Sequence, residues 1–334
     1  MTTRFEERSK LAIQRLGLIT AVSFVWLCAT DASGKEFTYQ FQRTIPTRDT
    51  LQLSLTCQRG VIEISSHDAP NVVITAVKRI SCPDQKEADE VAEHLDIKLD
   101  QTRNQKKLAI SVAMLDLKEL NRSLWKKIFG GSLDSYGSID FSIAVPNHCS
   151  ISIDNLSGTI AIAETVGDVS LRSSASDIHL TSVEGAVTID NGTGTTVGEL
   201  LFGPVTVRQP TGTISLQWIE GDVRVKSLSA NIELLQERGA LDLTSTRGNV
   251  RIQTNLNSDH DYYVETESGD INLLIPEESS GRLAVASTKG NIRADLPVVV
   301  KSMTKNRMVG EIGSGGVKIT LNSISGDVRV AQFQ

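Results

Sequence analysis

The sequence predicts an all-β fold, a β-solenoid built by stacking a nine-residue repeat. Three observations predict it. Aromatic residues make up only 4% of the chain, a block of nine residues recurs in one phase from Gly158 to Gly248, and two kinds of corner alternate between successive blocks. With so few aromatic side chains, the core has to be filled by Ile, Val and Leu, whose branched side chains suit stacked strands.

Each block reads small, polar, apolar, polar, apolar and then four turn-like residues. The blocks GTIAIAETV from Gly158 and GNVRIQTNL from Gly248 lie ten steps of nine apart without an insertion. One face of each five-residue strand is therefore aliphatic and the other is wet, and only stacking can bury the aliphatic face. Later blocks start at Gly269, Gly281, Gly290, Gly315 and Gly326. The predicted inward residues are Ile160, Ile162, Val169, Leu171, Ile178, Leu180, Val187, Ile189, Val205, Val207, Ile214, Leu216, Val223, Val225, Ile232, Leu234, Leu241, Leu243, Val250 and Ile252.

The corners between blocks predict the length of a coil. Every second corner holds a large apolar residue, while the corners between them are rich in hydroxyls, Gly and Pro. Stacking like corners on like requires two blocks per coil, which gives about 18 residues and a flattened, two-sheeted solenoid. The apolar corner residues are Val166, Val183, Leu201 and Ile219. We also expect a hydrogen-bonded polar ladder along one edge, formed by Thr159, Asp177, Thr195, Thr213, Asn231 and Asn249.

The sequence pattern predicts that residues 35–144 form a β-rich capping part with two short helices and that residues 145–334 form the solenoid. The form of the repeat already occurs at Gly60–Ile64, which favours continuity between the two parts. The first helix has Pro83 in its first turn and an apolar face of Ala88, Val91, Ala92 and Leu95. The second has an apolar face of Leu117, Leu120, Leu124 and Ile128, with Lys118, Arg122 and Lys126 on another face. The predicted strands are Phe37–Phe41, Leu51–Leu55, Val61–Ile64, Val72–Val77, Ile97–Leu99 and Leu108–Val112.

Residues 1–34 have the layout of a secretory signal peptide. Basic residues precede an apolar run from Leu16 to Leu27, and small residues follow, with cleavage expected after Ala32 or Gly34. The run is shorter than the roughly 20 residues that cross a membrane, and an uncleaved anchor is the alternative. The predicted location is therefore the periplasm, the cell surface or the extracellular space. In such a compartment Cys57 and Cys82 can form a disulfide, or these two and Cys149 can stay as buried free thiols.

The sequence contains no pattern typical of a catalytic, cofactor or metal site. A net charge of -6 argues against nucleic acid as a partner. Aspartates at the second position of blocks suggest a calcium β-roll, but the second glycine and the mid-block Asp are missing, so strand-entry turns are expected instead. These aspartates are Asp168, Asp177, Asp222, Asp270 and Asp327.

Charged residues on the wet faces and the remaining polar motifs also favour structural roles. Arg224 and Asp242 lie two blocks apart, as do Glu233 and Arg251, which predicts cross-strand charge pairs rather than a reactive cluster. The histidines have neither triad nor metal spacing. The dipeptide Asn191-Gly192 predicts a turn.

The repeated G-x-h-x-h blocks (h, apolar), a strand ending in Val145-Pro146 and the closing GGVKITLNSISGDVRV resemble the bacterial DUF4097 family, whose members carry an adhesin label. The resemblance covers roughly Phe37 to Val330. It implies a right-handed β-helix-like domain, exported or membrane-tethered, with no catalytic residues to transfer. Relatives often occur near envelope-stress regulators.

The sequence thus predicts an exported, non-enzymatic scaffold or adhesin-like interaction protein of the cell envelope. One alternative is a surface β-helix that binds or processes carbohydrate, and another is a membrane-tethered accessory of envelope stress. The expected partner is a protein or glycan at the envelope, and no cofactor is expected. Membrane contact through residues 1–34 or through Leu117–Phe129 stays open, because a basic amphipathic helix can lie on an anionic membrane or cap the β-core.

Overall fold

The computed structural model describes residues 35–82, 84–112, 137–256 and 260–333. Within these ranges the chain forms 23 strands in one hydrogen-bonded sheet and one helix, which confirms the all-β class. The helix is α1 (Gln85–His94). The strands are β1 (Lys35–Pro46), β2 (Thr50–His67), β3 (Asn71–Cys82), β4 (Ile97–Gln101), β5 (Lys107–Val112), β6 (Ser138–Pro146), β7 (His148–Val166), β8 (Val169–Glu184), β9 (Val187–Thr193), β10 (Thr195–Phe202), β11 (Val205–Arg208), β12 (Thr211–Glu220), β13 (Val223–Arg238), β14 (Leu241–Arg247), β15 (Val250–Thr254), β16 (Tyr262–Ser268), β17 (Ile271–Pro276), β18 (Gly281–Ser287), β19 (Ile292–Asp295), β20 (Val299–Thr304), β21 (Arg307–Ile312), β22 (Val317–Ser323) and β23 (Val328–Phe333).

The central strands stack in parallel with like residues on like. Val187 pairs with Val205, and Val205 pairs with Val223, so the paired positions lie two blocks apart. All twenty residues predicted to point inward are buried, none with more than 2% of its surface exposed. Alternation along each strand therefore places one aliphatic row per strand inside and leaves the other row outside.

Glycine begins most blocks because the coils approach closely there. Gly203 has φ 144°, and a Cβ at this position would lie 2.4 Å from the carbonyl oxygen of Gly185 in the preceding coil. Any side chain would have to push the two coils apart. The first residue of the repeat is thus chosen by stacking, in addition to the backbone freedom that glycine has at positive φ.

A left-handed residue recurs at one corner of four successive coils. Glu164, Ser182, Leu200 and Trp218 occur at every second block and have φ between 56° and 60°. In three coils the next residue is one of the expected apolar corner residues, Val183, Leu201 and Ile219, all fully buried. In the first coil the expectation of Val166 was wrong. Thr165 takes the buried place, with 1% exposure, because it follows the left-handed residue, and Val166 is half-buried.

The part before residue 145 joins the same stack. β2 merges two of the predicted strands and pairs in parallel with β7, with Gly60 opposite Gly158 and Ile62 opposite Ile160. The repeat-like segment Gly60–Ile64 is therefore in stacking contact with the first regular coil. β6 also pairs with β2, and β3 and β1 extend that edge in antiparallel fashion.

The single described helix covers part of this edge. Asp84 caps it by accepting a hydrogen bond from the backbone N–H of Glu87 at 2.9 Å, and the helix begins at Gln85. Pro83, which was expected in the first turn, lies outside the described residues. The predicted apolar face is confirmed as buried, and it consists of Ala88, Val91, Ala92 and Leu95. The second predicted helix, Leu117–Phe129, lies outside the described residues.

The last coils do not stack in the order of the sequence. β22 pairs in parallel with β16 on one side and with β18 on the other. Likewise, β23 pairs in parallel with β17 on one side and with β19 on the other. The final coil of the chain is therefore inserted between two earlier ones, and the antiparallel hairpin of β20 and β21 follows β18 at the outer edge.

Residues 1–34, the predicted signal peptide, also lie outside the described residues. Among the residues that are described, no helix is long and apolar enough to cross a membrane.

Candidate functional site

The five aspartates considered as calcium ligands accept hydrogen bonds from backbone N–H groups. Asp168, Asp177 and Asp222 accept hydrogen bonds from the backbone N–H of the residue 18 positions later, at 2.8–3.0 Å. Asp270 and Asp327 do the same across the reordered terminal coils, both at 2.8 Å. Each carboxylate thus satisfies a donor at the entry of a neighbouring strand, which confirms the strand-entry interpretation.

The polar ladder exists, but its composition differs from the expectation. It is formed by Asp and Asn oxygens and occurs on both edges: Asn231 accepts from the N–H of Asn249 at 3.1 Å, while Asp168 and Asp222 act on the opposite edge. The side chain of Thr213 forms no hydrogen bond with a described residue. The short Thr hydroxyl does not extend to the next coil, whereas the longer Asp and Asn side chains do.

A column of polar side chains runs inside the solenoid at the other corner. Its members occur at every second block and are at most 8% exposed, and pairing continues the column from Ser245 to Thr266 and Ser323. The sequence indicated polar corners here, but it did not indicate that these side chains point inward. The six regular members are Asn155, Ser173, Asn191, Gln209, Ser227 and Ser245.

Gln209 is the most connected residue of this column. It is fully buried, its Nε2 donates to the carbonyl oxygens of Gly194 (2.9 Å) and Thr213 (3.2 Å), and its Oε1 accepts from the hydroxyl of Thr196 at 2.6 Å. A buried amide whose donors and acceptor are all used links neighbouring coils and specifies their register.

Asn191 corrects a prediction about the same corner. It lies in β9 and is fully buried, so Asn191-Gly192 is not a turn. Its side chain bonds both the N–H of Ser176 (3.2 Å) and the carbonyl oxygen of Ser176 (2.8 Å). The amide thus binds the backbone of the same corner in the neighbouring coil, a contact that the dipeptide Asn191-Gly192 does not indicate by itself.

The charge pairs expected on the wet faces are present. Arg224 Nε lies 3.2 Å from Asp242 Oδ2, and Arg251 Nε lies 3.9 Å from Glu233 Oε1, with all four side chains about half exposed or more. Each pair spans neighbouring coils. Exposed pairs of this kind contribute little to stability, about 0–1 kcal/mol each.

A shallow groove with a volume of about 670 Å³ follows the polar corner across five coils. Its wall carries Asp154, Arg172, Asp190 and Arg208 on successive coils. Although the signs alternate, none of these four forms an ion pair with another described residue. Asn155 also lines the groove, but its Oδ1 is buried and accepts no hydrogen bond within the described part of the chain. The groove therefore presents charges of both signs that pair with no described residue.

A second charged cluster was missed by sequence reasoning. Asp295 lies 2.6 Å from Arg293 Nε and 2.7 Å from Arg329 Nε. Hydrogen bonds from Arg293 and then Arg329 hold the pKa of Asp295 below its usual range. The cluster depends on the insertion of β23 beside β19, so the sequence carried no local signal for it.

No group of three or more His, Cys, Asp or Glu within the described residues has the geometry to hold a metal ion. The ring of His67 bonds the carbonyl oxygen of Asn71 at 2.8 Å. His148 and His179 lie on different strands, and His260 lies in the connection before β16.

Cys57, Cys82 and Cys149 are all buried free thiols, so the alternative of a Cys57–Cys82 disulfide is not realised. Burial raises the pKa of the Cys149 thiol to about 12 and also raises the pKa of Cys57. A thiol that stays protonated is a poor nucleophile. These cysteines therefore serve as small core residues.

Comparison with known families agrees with this architecture. The family model described as Toastrack DUF4097 matches residues 59–331, which is most of the chain. The chain belongs to the DUF4097 family. DUF4097 membership confirms the resemblance carried by the repeated blocks and by the closing GGVKITLNSISGDVRV.

Three of the similar solved structures come from bacteria. A Bacteroides fragilis protein described as a "putative adhesin" is 12% identical with a TM-score of 0.39, covering 87% of this chain and 97% of its own. A Parabacteroides merdae protein with the same description is 12% identical, with a TM-score of 0.28 and coverages of 88% and 96%. A "putative cell adhesion protein" of Clostridium sporogenes is 9% identical, with a TM-score of 0.24 and coverages of 89% and 100%. No functionally curated protein matches the chain.

Proposed function

We propose that this DUF4097 protein is an exported, non-enzymatic scaffold or adhesin-like interaction protein of the cell envelope. The observation that supports the proposal most directly is the pairing of charges on the wet faces, Arg224 with Asp242 and Glu233 with Arg251. Carboxylates that are exposed and paired across strands have neither the burial nor the convergence that tunes an acid or a base for catalysis. Regular β-faces of this kind suit contact with a partner over a long surface.

We further propose that the solenoid is right-handed with two blocks in each coil, in keeping with the pairing of Val187 with Val205 and of Val205 with Val223. Residues 1–34 are a secretory signal, because basic residues precede an apolar run and small residues follow it.

Export is tested by joining the full chain to alkaline phosphatase, which becomes active only outside the cytoplasm. We expect an active fusion, and we expect the double variant Leu18→Arg, Val22→Arg to be inactive because two charges interrupt the apolar run. An inactive parent fusion that accumulates to the same level as the variant would overturn export. Amino-terminal sequencing of the active fusion separates cleavage after Ala32 or Gly34 from a retained anchor, which would support the membrane-tethered alternative.

The groove along the polar corner favours carbohydrate binding as a second candidate function. Asp154, Arg172, Asp190 and Arg208 line it and form no ion pair with a described residue. Carboxylate and guanidinium groups form hydrogen bonds with hydroxyl-rich ligands. The two carboxylates of the groove, Asp154 and Asp190, are separated by the strand that carries Arg172, so we propose binding rather than cleavage.

A glycan array probed with the full chain tests this candidate. The double variant Arg172→Ala, Arg208→Ala should no longer bind the glycans that the parent binds. The matched control is Arg224→Ala, which removes an exposed arginine from a paired face and should leave binding unchanged. Absence of binding to every glycan, or equal binding by all three proteins, would exclude the groove as a glycan site.

A further inference from the structure

The outer strand of the terminal hairpin is exposed along its whole length. β20 pairs in antiparallel fashion with β21, and β21 pairs with β18, which belongs to the parallel stack. Among the described strands, β21 is the only partner of β20. All six residues of β20 are exposed. The hairpin therefore presents an open edge at the end of the solenoid.

This edge is apolar where a solvated edge is normally polar. Val299 is 67% exposed, Val300 is 48% exposed and Met303 is 63% exposed. They account for three of the seven large hydrophobic side chains that are exposed within the described residues, and they fall within five consecutive positions. Soluble proteins usually protect an edge strand with charges or Pro, so a concentration of apolar side chains indicates a contact surface.

The charge of the hairpin is opposite to that of the whole chain. Residues 299–312 hold three basic residues, Lys301, Lys305 and Arg307, against one carboxylate, Glu311, in a chain of net charge -6. Lys301 pairs with Glu311, while Lys305 and Arg307, at the turn, form no ion pair with a described residue. Two basic residues without a described ion-pair partner thus lie two and four positions after the exposed Met303.

We propose that the hairpin of β20 and β21 docks on an anionic lipid surface. Val299, Val300 and Met303 enter the boundary between headgroups and acyl chains, and Lys305 and Arg307 bind the headgroup phosphates. Consecutive residues of a strand point to opposite faces, so Val299 and Val300 expose apolar surface on both sides of the edge. Lipid can contact both faces of the edge strand, and Lys305 and Arg307, which form no ion pair with a described residue, favour an anionic surface over a neutral one.

The inference deepens the proposed function and rests on it, because an exported envelope protein works beside lipid. The two can fail separately, since export is read from the phosphatase fusion and docking from a probe on the hairpin. The probe is an environment-sensitive fluorophore on Ser302→Cys, in the full chain carrying Cys28→Ser. The other three cysteines are buried, so labelling is confined to the hairpin. A probe on Thr188→Cys, exposed on β9, is the matched control for contact made elsewhere.

Vesicles of phosphatidylcholine and phosphatidylglycerol in a two-to-one ratio should shift the Ser302 probe to shorter wavelength, and vesicles of phosphatidylcholine alone should not. Each basic residue near an anionic surface raises affinity about fivefold. The variant Lys305→Gln, Arg307→Gln should therefore weaken vesicle binding by about 25-fold, and Val299→Asp, Met303→Asp should abolish the shift.

Four results would overturn the proposal. The first is an equal shift on neutral and anionic vesicles, and the second is an unchanged affinity in the double charge variant. The third is a shift that needs no lipid and grows with protein concentration, which would assign the edge to self-association through strand pairing. A shift of the Thr188 probe equal to that of the Ser302 probe would likewise exclude the hairpin as the specific contact.

Discussion

The carboxylate of Asp327 lies 2.8 Å from the backbone nitrogen of Asn291, 36 residues earlier in the chain. The bond exists because β23 stacks against β19 instead of following it, and Asp327 in turn donates its own N–H to Asp270 on the other side. The final coil is therefore held on both sides by the same type of bond that joins the regular coils.

Asp327→Ala should loosen the terminal coils. The N–H of Asn291 loses its acceptor, which costs about 1 kcal/mol, and amide exchange at Asn291 should accelerate relative to residues of β13. Asp327→Asn keeps an acceptor oxygen in the same place and should behave like the parent. Equal exchange rates in the Ala and Asn variants would contradict the role of this carboxylate.

A second pair of variants compares Asn231, whose side chain joins the polar ladder, with Thr213, whose side chain does not. Asn231→Val removes the oxygen that accepts from Asn249, and we expect the free energy of unfolding to fall by about 1 kcal/mol. Thr213→Val removes a hydroxyl that bonds no described residue, so its effect should stay within about 0.5 kcal/mol. Urea denaturation measures both, and a larger loss for Thr213→Val than for Asn231→Val would refute the observed composition of the ladder.

The buried column makes Gln209 sensitive to substitution. Gln209→Met keeps the volume but leaves the hydroxyl of Thr196 and the carbonyl oxygens of Gly194 and Thr213 without this partner. Unsatisfied buried groups cost about 1–3 kcal/mol each, so the urea midpoint should fall clearly. The exposed neighbour Arg208→Met serves as the control and should leave the midpoint unchanged.

Close stacking predicts the effect of a single methyl group. Gly203→Ala would place Cβ 2.4 Å from the carbonyl oxygen of Gly185 at φ 144°, so we expect a loss of more than about 1 kcal/mol in thermal or urea unfolding. Ala230 begins a block without positive φ, and Ala230→Gly is the control, with a loss of at most about 1 kcal/mol. A stabilising Gly203→Ala would show that the coils can separate at no cost.

The contact between α1 and β1 predicts that the stability of the fold decreases at alkaline pH. Partial burial and the hydrogen bond to Asp89 raise the pKa of Tyr39 from 10.0 to about 12. The folded state then holds this proton more tightly than the unfolded state, so stability is fully present below pH 10 and falls as pH rises from 10 to about 12.

Tyr39→Phe removes this titration, and the difference in urea midpoint between parent and variant should shrink across the same window. Tyr263→Phe is a useful comparison, because a hydrogen bond to Glu265 also raises the pKa of Tyr263 but leaves α1 untouched. If the difference between the parent and Tyr39→Phe does not change between pH 10 and 12, the Tyr39–Asp89 contact does not titrate as described.

Several features followed from the sequence because they depend on neighbours along the chain. Alternation of apolar and polar residues identified the twenty buried aliphatic residues predicted between Ile160 and Ile252. The two-block spacing identified the pairs Arg224–Asp242 and Glu233–Arg251. The apolar face of α1 could be read in the same way. A strand has period two and a helix has period 3.6 whatever lies around them.

Only the tertiary structure decided which surfaces meet across the coils. It placed Thr165 rather than Val166 at the buried corner, turned Asn191 inward, and inserted β22 and β23 between earlier strands, which created the Asp295 cluster and left β20 as an open edge. These outcomes depend on stacking partners distant in sequence, and any coil with an aliphatic face is a compatible partner. The order of stacking is therefore set by the sum of contacts in the folded chain, which no local pattern records.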